Sequence, residues 1–96
     1  AEKVCELRVV GVVEGEGKYA GMLGALTCAT ECGKLKTNVG SGFSDSQRKK
    51  EWLVGSIIGV KYNEIIQDRS GGYSLFLPIY QGIRLDKNVA NTFEEL

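Results

Sequence analysis

Polar and apolar positions alternate through the first part of the chain. From Val4 to Val13 the alternation is imperfect: Cys5, Leu7, Val9 and Val13 fall on one face, Glu6 and Arg8 on the other. That pattern predicts one long strand, with Gly11 as a bend or bulge. Glu14 to Gly21 is a glycine-rich connection, and Met22 to Thr30 reads as a second strand broken by Gly24. A short turn near Ala29 to Gly33 leads into a third strand, Lys34 to Val39, with Leu35, Thr37 and Val39 on one face and Lys34, Lys36 and Asn38 on the other. Ser44-Asp45-Ser46-Gln47 has the spacing of a capping box, Ser at the N-cap and Gln at N3. A short helix is therefore predicted over Asp45 to Trp52, its outer face basic through Arg48, Lys49 and Lys50.

Period-two patterning returns after the helix. Ser56 to Ile66 reads as a fourth strand with Ile58, Val60 and Tyr62 on one face, and Asp68-Arg69-Ser70-Gly71-Gly72 as a hairpin turn. Tyr73 to Leu77 begins the fifth strand. Pro78 has no N–H and interrupts its pairing, which resumes toward Arg84. Asn88 to Leu96 is a tail with an acidic end, expected to be helical or frayed. Three strands, a short helix and two strands is the order of the OB-fold, a five-stranded Greek-key barrel whose helix falls between strands 3 and 4. The expected fold is thus all-β with one short helix, in one domain over residues 1–96. An SH3-like barrel, the main competitor, lacks a helix of this length in this place.

Composition narrows the function. At 96 residues, 43% hydrophobic and 25% charged, the chain matches a single small globular domain rather than a disordered one. No apolar run approaches the roughly 20 residues of a membrane span and no signal-peptide pattern opens the chain, so a cytoplasmic, non-secreted location is expected. The opening at Ala1, directly in a strand-like segment, suits a piece cut from a longer protein. Net charge is zero, so there is no global basic field to hold nucleic acid, and binding would depend on local clusters. Three cysteines, Cys5, Cys28 and Cys32, and no histidine argue against a disulfide framework, a structural zinc site and histidine-based triads. All three cysteines are expected to be small buried or strand-face residues, and no metal ligand set is predicted.

Three groups of residues carry possible chemistry. Gly15-Glu16-Gly17-Lys18 lacks Walker spacing and precedes a strand, so it is read as a hairpin loop. Lys34 and Lys36 on strand 3, with Lys61 on strand 4, either track a phosphate backbone at ~7 Å spacing along a strand or form a solvated sheet face. Arg84, Asp86 and Lys87 close the last strand: either a solvated strand end, or two donors for phosphoryl oxygens with an Asp that holds the Arg or contacts a metal's water shell. No paired carboxylates suggest a self-sufficient active site.

Ser74-Leu75-Phe76-Leu77-Pro78-Ile79-Tyr80-Gln81-Gly82-Ile83-Arg84-Leu85-Asp86-Lys87 resembles the C-terminal motif VI of ATP-dependent DNA ligases, in which a strand and proline lead to an Arg-x-Asp-Lys end. Val9 to Gly21 resembles the entry of that family into its OB domain, and Lys36 to Asp45 its junction between strand 3 and helix. Cys32 to Lys36 and Ala90 to Glu94 are similar to phage-type ligases. The resemblance spans nearly the whole chain in order. It implies a domain that closes over a nucleotidyltransferase domain of the same chain, whose Lys-x-Asp-Gly motif is absent here, and that then clamps nicked double-stranded DNA. By the same resemblance Arg84, Asp86 and Lys87 orient the pyrophosphate of ATP during enzyme adenylylation, and Lys34, Lys36 and Lys61 are candidate DNA contacts. ATP and Mg2+ belong to the full-length monomeric enzyme, and this domain alone would bind neither and be inactive. Larger ligases place Phe-Pro before motif VI, where the aromatic enters the minor groove. Here Leu77 holds that position, after Phe76, and core packing is expected of it rather than a wedge in the groove.

Two other readings compete. A stand-alone OB module for single strands would present exposed aromatics for base stacking, and Tyr19, Tyr62, Tyr73 and Tyr80 form no evident stripe. The OB domain of an mRNA capping enzyme also carries a motif VI, but Gly40 to Asp45 favours a ligase.

Overall fold

In the computed structural model, which describes residues 2–96, β1 (Lys3–Glu14) is the spine of the molecule. It pairs antiparallel along its second half with β2 (Leu23–Ala29) and along its first half with β4 (Ile57–Tyr62). β3 (Lys36–Val39) adds to β2, and β7 (Ile79–Ile83) adds to β4, giving a sheet of order β3-β2-β1-β4-β7. β5 (Glu64–Gln67) and β6 (Tyr73–Phe76) form a separate hairpin closed by Asp68, whose side chain accepts hydrogen bonds from the amides of Ser70 and Gly72 and from the Ser70 hydroxyl.

One strand serves two partners because it bends. The β1–β2 register slips between Val9 and Gly11, leaving Val10 unpaired, so a bulge forms beside the Gly11 that the sequence marks as a bend or bulge. The extra residue breaks the alternation: Cys5, Leu7 and Val9 are buried, whereas Val13 is exposed, against the sequence expectation. A second slip spans Gly24, where β2 passes so close to the Gly15 backbone that a Cβ would sit 2.7 Å from the Gly15 Cα.

The predicted strands 4 and 5 are each divided, so seven strands replace the five expected. Asn63 separates β4 from β5, and Leu77 with Pro78 separates β6 from β7; Leu77 adopts φ 54° and Pro78 has no N–H to pair. The architecture is OB-like without a continuously closed barrel. Across the seam, parallel bridges join Leu35 to Tyr73 and Ser41 to Ile79, and the Leu75 amide donates to Thr37 Oγ1 at 3.4 Å.

Helix α1 (Asp45–Lys49) covers one end between β3 and β4. Its capping box is present as predicted: the Gln47 amide donates to Ser44 Oγ and the Ser44 amide to Gln47 Oε1. The helix stops at Lys49 rather than Trp52. Trp52 instead folds back, donates from Nε1 to the Gln47 carbonyl at 2.9 Å, and packs edge-on against Phe43 and Tyr80. Below it the core is built from Leu7, Leu26, Leu35, Ile58, Val9, Val39 and Val60.

Arg48 overturns the reading of a solvated basic helix face. It is buried: Nη1 donates to the carbonyls of Leu23 and Gly24, and Nη2 to that of Gly40, at 2.8, 3.1 and 2.8 Å. The guanidinium also lies 4.2 Å from the Tyr19 ring centroid. One helical turn aims Arg48 inward, and only Lys49 and Lys50 remain exposed.

Candidate nucleic-acid and phosphate sites on an OB-like domain

β7 and the turn after it bring Arg84, Asp86 and Lys87 together. The Arg84 amide continues the ladder onto the Ile57 carbonyl at 2.8 Å, and the Lys87 amide closes the turn onto the Arg84 carbonyl. Asp86 receives Nε and Nη2 of Arg84 at 3.3 and 3.2 Å, a two-pronged clamp suited to the planar guanidinium. The hydrogen bonds and nearby charge hold the Asp86 carboxyl below its ordinary range and raise Arg84, so both are charged at neutral pH.

The fourth member is Glu6, on the neighbouring strand β1. One of its carboxylate oxygens takes Arg84 Nη1 at 2.7 Å and the other takes Lys87 Nζ at 3.1 Å. Its backbone is fixed by the tail, for the Glu6 amide donates to Asn91 Oδ1 and the Asn91 amide to the Glu6 carbonyl. Sequence reasoning placed Glu6 on the polar face of the first strand and gave it no role. Its alternation between Cys5 and Leu7 was a usable signal, but the partners lie 78 and 81 residues away.

The tail is anchored rather than frayed. Arg8 Nη2 donates to both Glu31 Oε1 and the Asn88 carbonyl, and Glu31 also accepts the Ala90 amide, which lowers the pKa of that carboxyl. Ala90 is buried, and a short 3-10 turn over Phe93–Glu95 ends the chain. Phe93 packs on Tyr73, with Lys34 Nζ 4.8 Å from the Phe93 centroid.

Of the three candidate lysines, Lys34 and Lys36 share one edge of the molecule and Lys61 does not. Lys34 caps the Phe93 ring and lies 3.9 Å from Glu94. Lys36 is exposed beside Thr27, Asn38 and Ser74, which line an open groove of about 450 Å³. Lys61 is on β4, three strands from β3 in the sheet, and pairs with Glu2 at 3.0 Å. At roughly 4.8 Å per strand that is about 15 Å of lateral separation, and the register sets Lys61 four residues further along the sheet than the position level with Lys36.

Other expectations meet mixed outcomes. Gly15 to Lys18 belongs to a hairpin connection containing a 3-10 turn over Gly17–Tyr19, closed by the Gly15 amide on the Met22 carbonyl. Tyr62 and Tyr80 are buried, so they offer no exposed stacking surface. Leu77 is 59% exposed and Phe76 is exposed beside it, so Leu77 does not pack in the core as expected. The positive φ at Leu77 turns its side chain away from the strand alternation that would have buried it. Cys5 and Cys28 are buried, and burial pushes both thiols up to about 12. Cys32, expected to be buried or on a strand face, is exposed in the β2–β3 turn, where amides of Phe93 and Lys34 lower its pKa. Among the described residues no group of three or more His, Cys, Asp or Glu side chains is arranged to hold a metal ion, and no helix is long and apolar enough to cross a membrane.

Comparison with known proteins bears on the family and agrees with the OB-like architecture. The family model of the DNA ligase OB-like domain matches residues 14–84. The DNA ligase of Enterobacteria phage T4 is 30% identical over a 106-position alignment covering 95% of this chain and 22% of that enzyme. The DNA ligase of Haemophilus influenzae is 37% identical over 60 residues, 62% of this chain and 22% of that enzyme. Two solved structures share the fold over 88% of this chain. Pmar-Lig_PreS3 superposes with TM-score 0.77 at 31% identity and is covered to 21% of its length. The structure described as "DNA binding with a minimal scaffold: Structure-function analysis of Lig E DNA ligases" has TM-score 0.75 at 26% identity and is covered to 31%. The chain thus spans only 22% of the length of the curated ligases it matches. With a match over most of its length and an OB-like architecture, the chain belongs to the DNA ligase OB-like domain family.

Proposed function

We propose that this chain is the OB domain of an ATP-dependent DNA ligase that closes over a nucleotidyltransferase domain supplied by the same polypeptide. The observation that carries the reading is the Arg84–Asp86–Lys87 arrangement at the end of β7. Asp86 clamps one side of the guanidinium and leaves Nη N–H groups of Arg84 and two protons of Lys87 for other acceptors. Such paired cations suit the oxygens of a pyrophosphate leaving from ATP, and placing them on a mobile domain makes the site complete only on closure. Mg2+ would neutralise the remaining phosphate charge. This chain's part is to present Arg84 and Lys87, and the isolated domain is inactive.

The second half of the proposal is duplex binding. Lys36, with Lys34 beside it, lies along the groove bordered by Thr27, Asn38 and Ser74, and Lys61 adds a cation three strands away on β4. This spread matches phosphates of a duplex better than a single anion. Exposed Phe76 and Leu77 offer an apolar tip between β6 and β7.

Kinetics of the full-length ligase test both halves. Arg84→Ala and Lys87→Ala should slow self-adenylylation by ATP far more than sealing of a pre-adenylylated nick, and equal losses would reject the pyrophosphate role. Lys34→Ala with Lys36→Ala should weaken nick binding and reduce its salt dependence by about two ion equivalents. An unchanged salt slope would return these lysines to a solvated face.

A further inference from the structure

The pair Arg84 and Lys87 is not held by its own turn alone. Both cations converge on one carboxylate, Glu6, at 2.7 and 3.1 Å, and that carboxylate is itself 17% exposed. Glu6 comes from the opposite end of the chain, and its main chain is locked by two hydrogen bonds to Asn91. A long arginine and a long lysine each carry about 2 kcal/mol of rotamer entropy, so free in solvent they would sample many separations. A single bridging carboxylate removes that freedom and fixes their donors side by side, at a spacing set by the two oxygens of one acid group. Asp86 cannot do this: it engages Arg84 and does not reach Lys87 among the contacts of the described residues.

We infer that Glu6 is a positioning residue for the Arg84–Lys87 pair, holding the two cations in one converging arrangement that is ready for neighbouring oxygens of a phosphate chain. Glu6 does not touch the nucleotide and acts through the pair. The Glu6 main chain is held between its ladder partner Gly59 on β4 and the tail residue Asn91. The inference rests on the pyrophosphate role proposed above.

Two measurements separate the inference from that role. In the 96-residue chain, nitrogen-15 NMR should show restricted rotation of the Arg84 guanidinium and a slowed Lys87 ammonium. Both should be lost in Glu6→Gln, whose amide can accept from one cation but not both, with the unfolding midpoint little changed. In the full-length ligase, Glu6→Gln should lower adenylylation by about tenfold or more, chiefly as a raised KM for ATP, and leave sealing of pre-adenylylated nicks nearly unchanged. Glu6→Asp, with the charge kept and the reach shortened, should lie between. If the two side chains stay ordered in Glu6→Gln, the positioning inference is wrong whatever the kinetics show. If order is lost and adenylylation falls with Arg84→Ala but not with Glu6→Gln, the inference is again wrong while the pyrophosphate role stands. If Arg84→Ala itself leaves adenylylation intact, both are overturned.

Discussion

Replacing Arg48 with alanine removes a buried cation that ties the start of β2 to the end of β3. Three carbonyls lose a charged donor, those of Leu23, Gly24 and Gly40, and Tyr19 loses the guanidinium stacked on its ring. A buried acceptor left without a partner costs about 1–3 kcal/mol, and the truncated site would admit water, so about 1 kcal/mol per carbonyl is the working figure. Loss of the cation–π contact adds about 0.5–1 kcal/mol. Relief from burying a charge with an unpartnered Nε offsets part of this. The expected net loss is about 3 kcal/mol, a large share of the ~5–15 kcal/mol stability of such a domain. Arg48→Lys keeps the charge but not the fork, and should lose about half as much. Urea unfolding followed by fluorescence of Trp52, the sole tryptophan, reports on this end of the molecule because Trp52 is buried against Phe43 and Tyr80. Lys49→Ala on the exposed side of the same helix is the control, expected within about 0.5 kcal/mol of wild type. An Arg48→Ala midpoint shift no larger than that of Lys49→Ala would refute the account of Arg48 as a structural clamp.

Gly42→Ala should destabilise by about 2–3 kcal/mol, since the residue has φ +93° and a Cβ there would meet the Tyr80 carbonyl oxygen at 2.6 Å; an unfolding midpoint equal to wild type would show that this loop relaxes freely. Alkylation with iodoacetamide at pH 7.5 should modify Cys32 quickly and leave Cys5 and Cys28 protected until unfolding, read by peptide mass mapping; comparable rates at all three would contradict the burial assigned to the β1–β2 pair. The same two buried thiols make stability pH-dependent. Their folded pKa values are raised to about 12, so their contribution is complete below the unfolded thiol pKa of about 8.5 and is lost as pH rises through about 12. Replacing both with alanine should therefore flatten the alkaline fall in stability, and an unchanged slope would assign that fall to other groups.

Much of the fold was legible because strand faces are written in a two-residue period. Leu35, Thr37 and Val39 are buried and Lys36 and Asn38 exposed, as the alternation required, and the capping box at Ser44 marked the helix start to the residue. The errors fall where local pattern loses authority. Past the bulge at Val10–Gly11 the alternation of β1 is lost, and Val12 and Val13 are both exposed. The positive φ at Leu77 turns an apolar residue outward. Arg48, in a run of three cations, has the same local signature as its exposed neighbours, and only the meeting of β2, β3 and the helix supplies the carbonyls that bury it.

The sequence by itself determined the order of elements, the core-facing positions of the regular strand stretches and the presence of Arg84, Asp86 and Lys87 at the end of the last strand, because these depend on near neighbours in the chain. Only the tertiary structure decided that Arg84 and Lys87 share Glu6, that the tail is pinned to β1 and that Lys61 stands apart from Lys34 and Lys36. Those relations arise from strands pairing across most of the chain's length, and charge has no periodicity from which such pairings could be read.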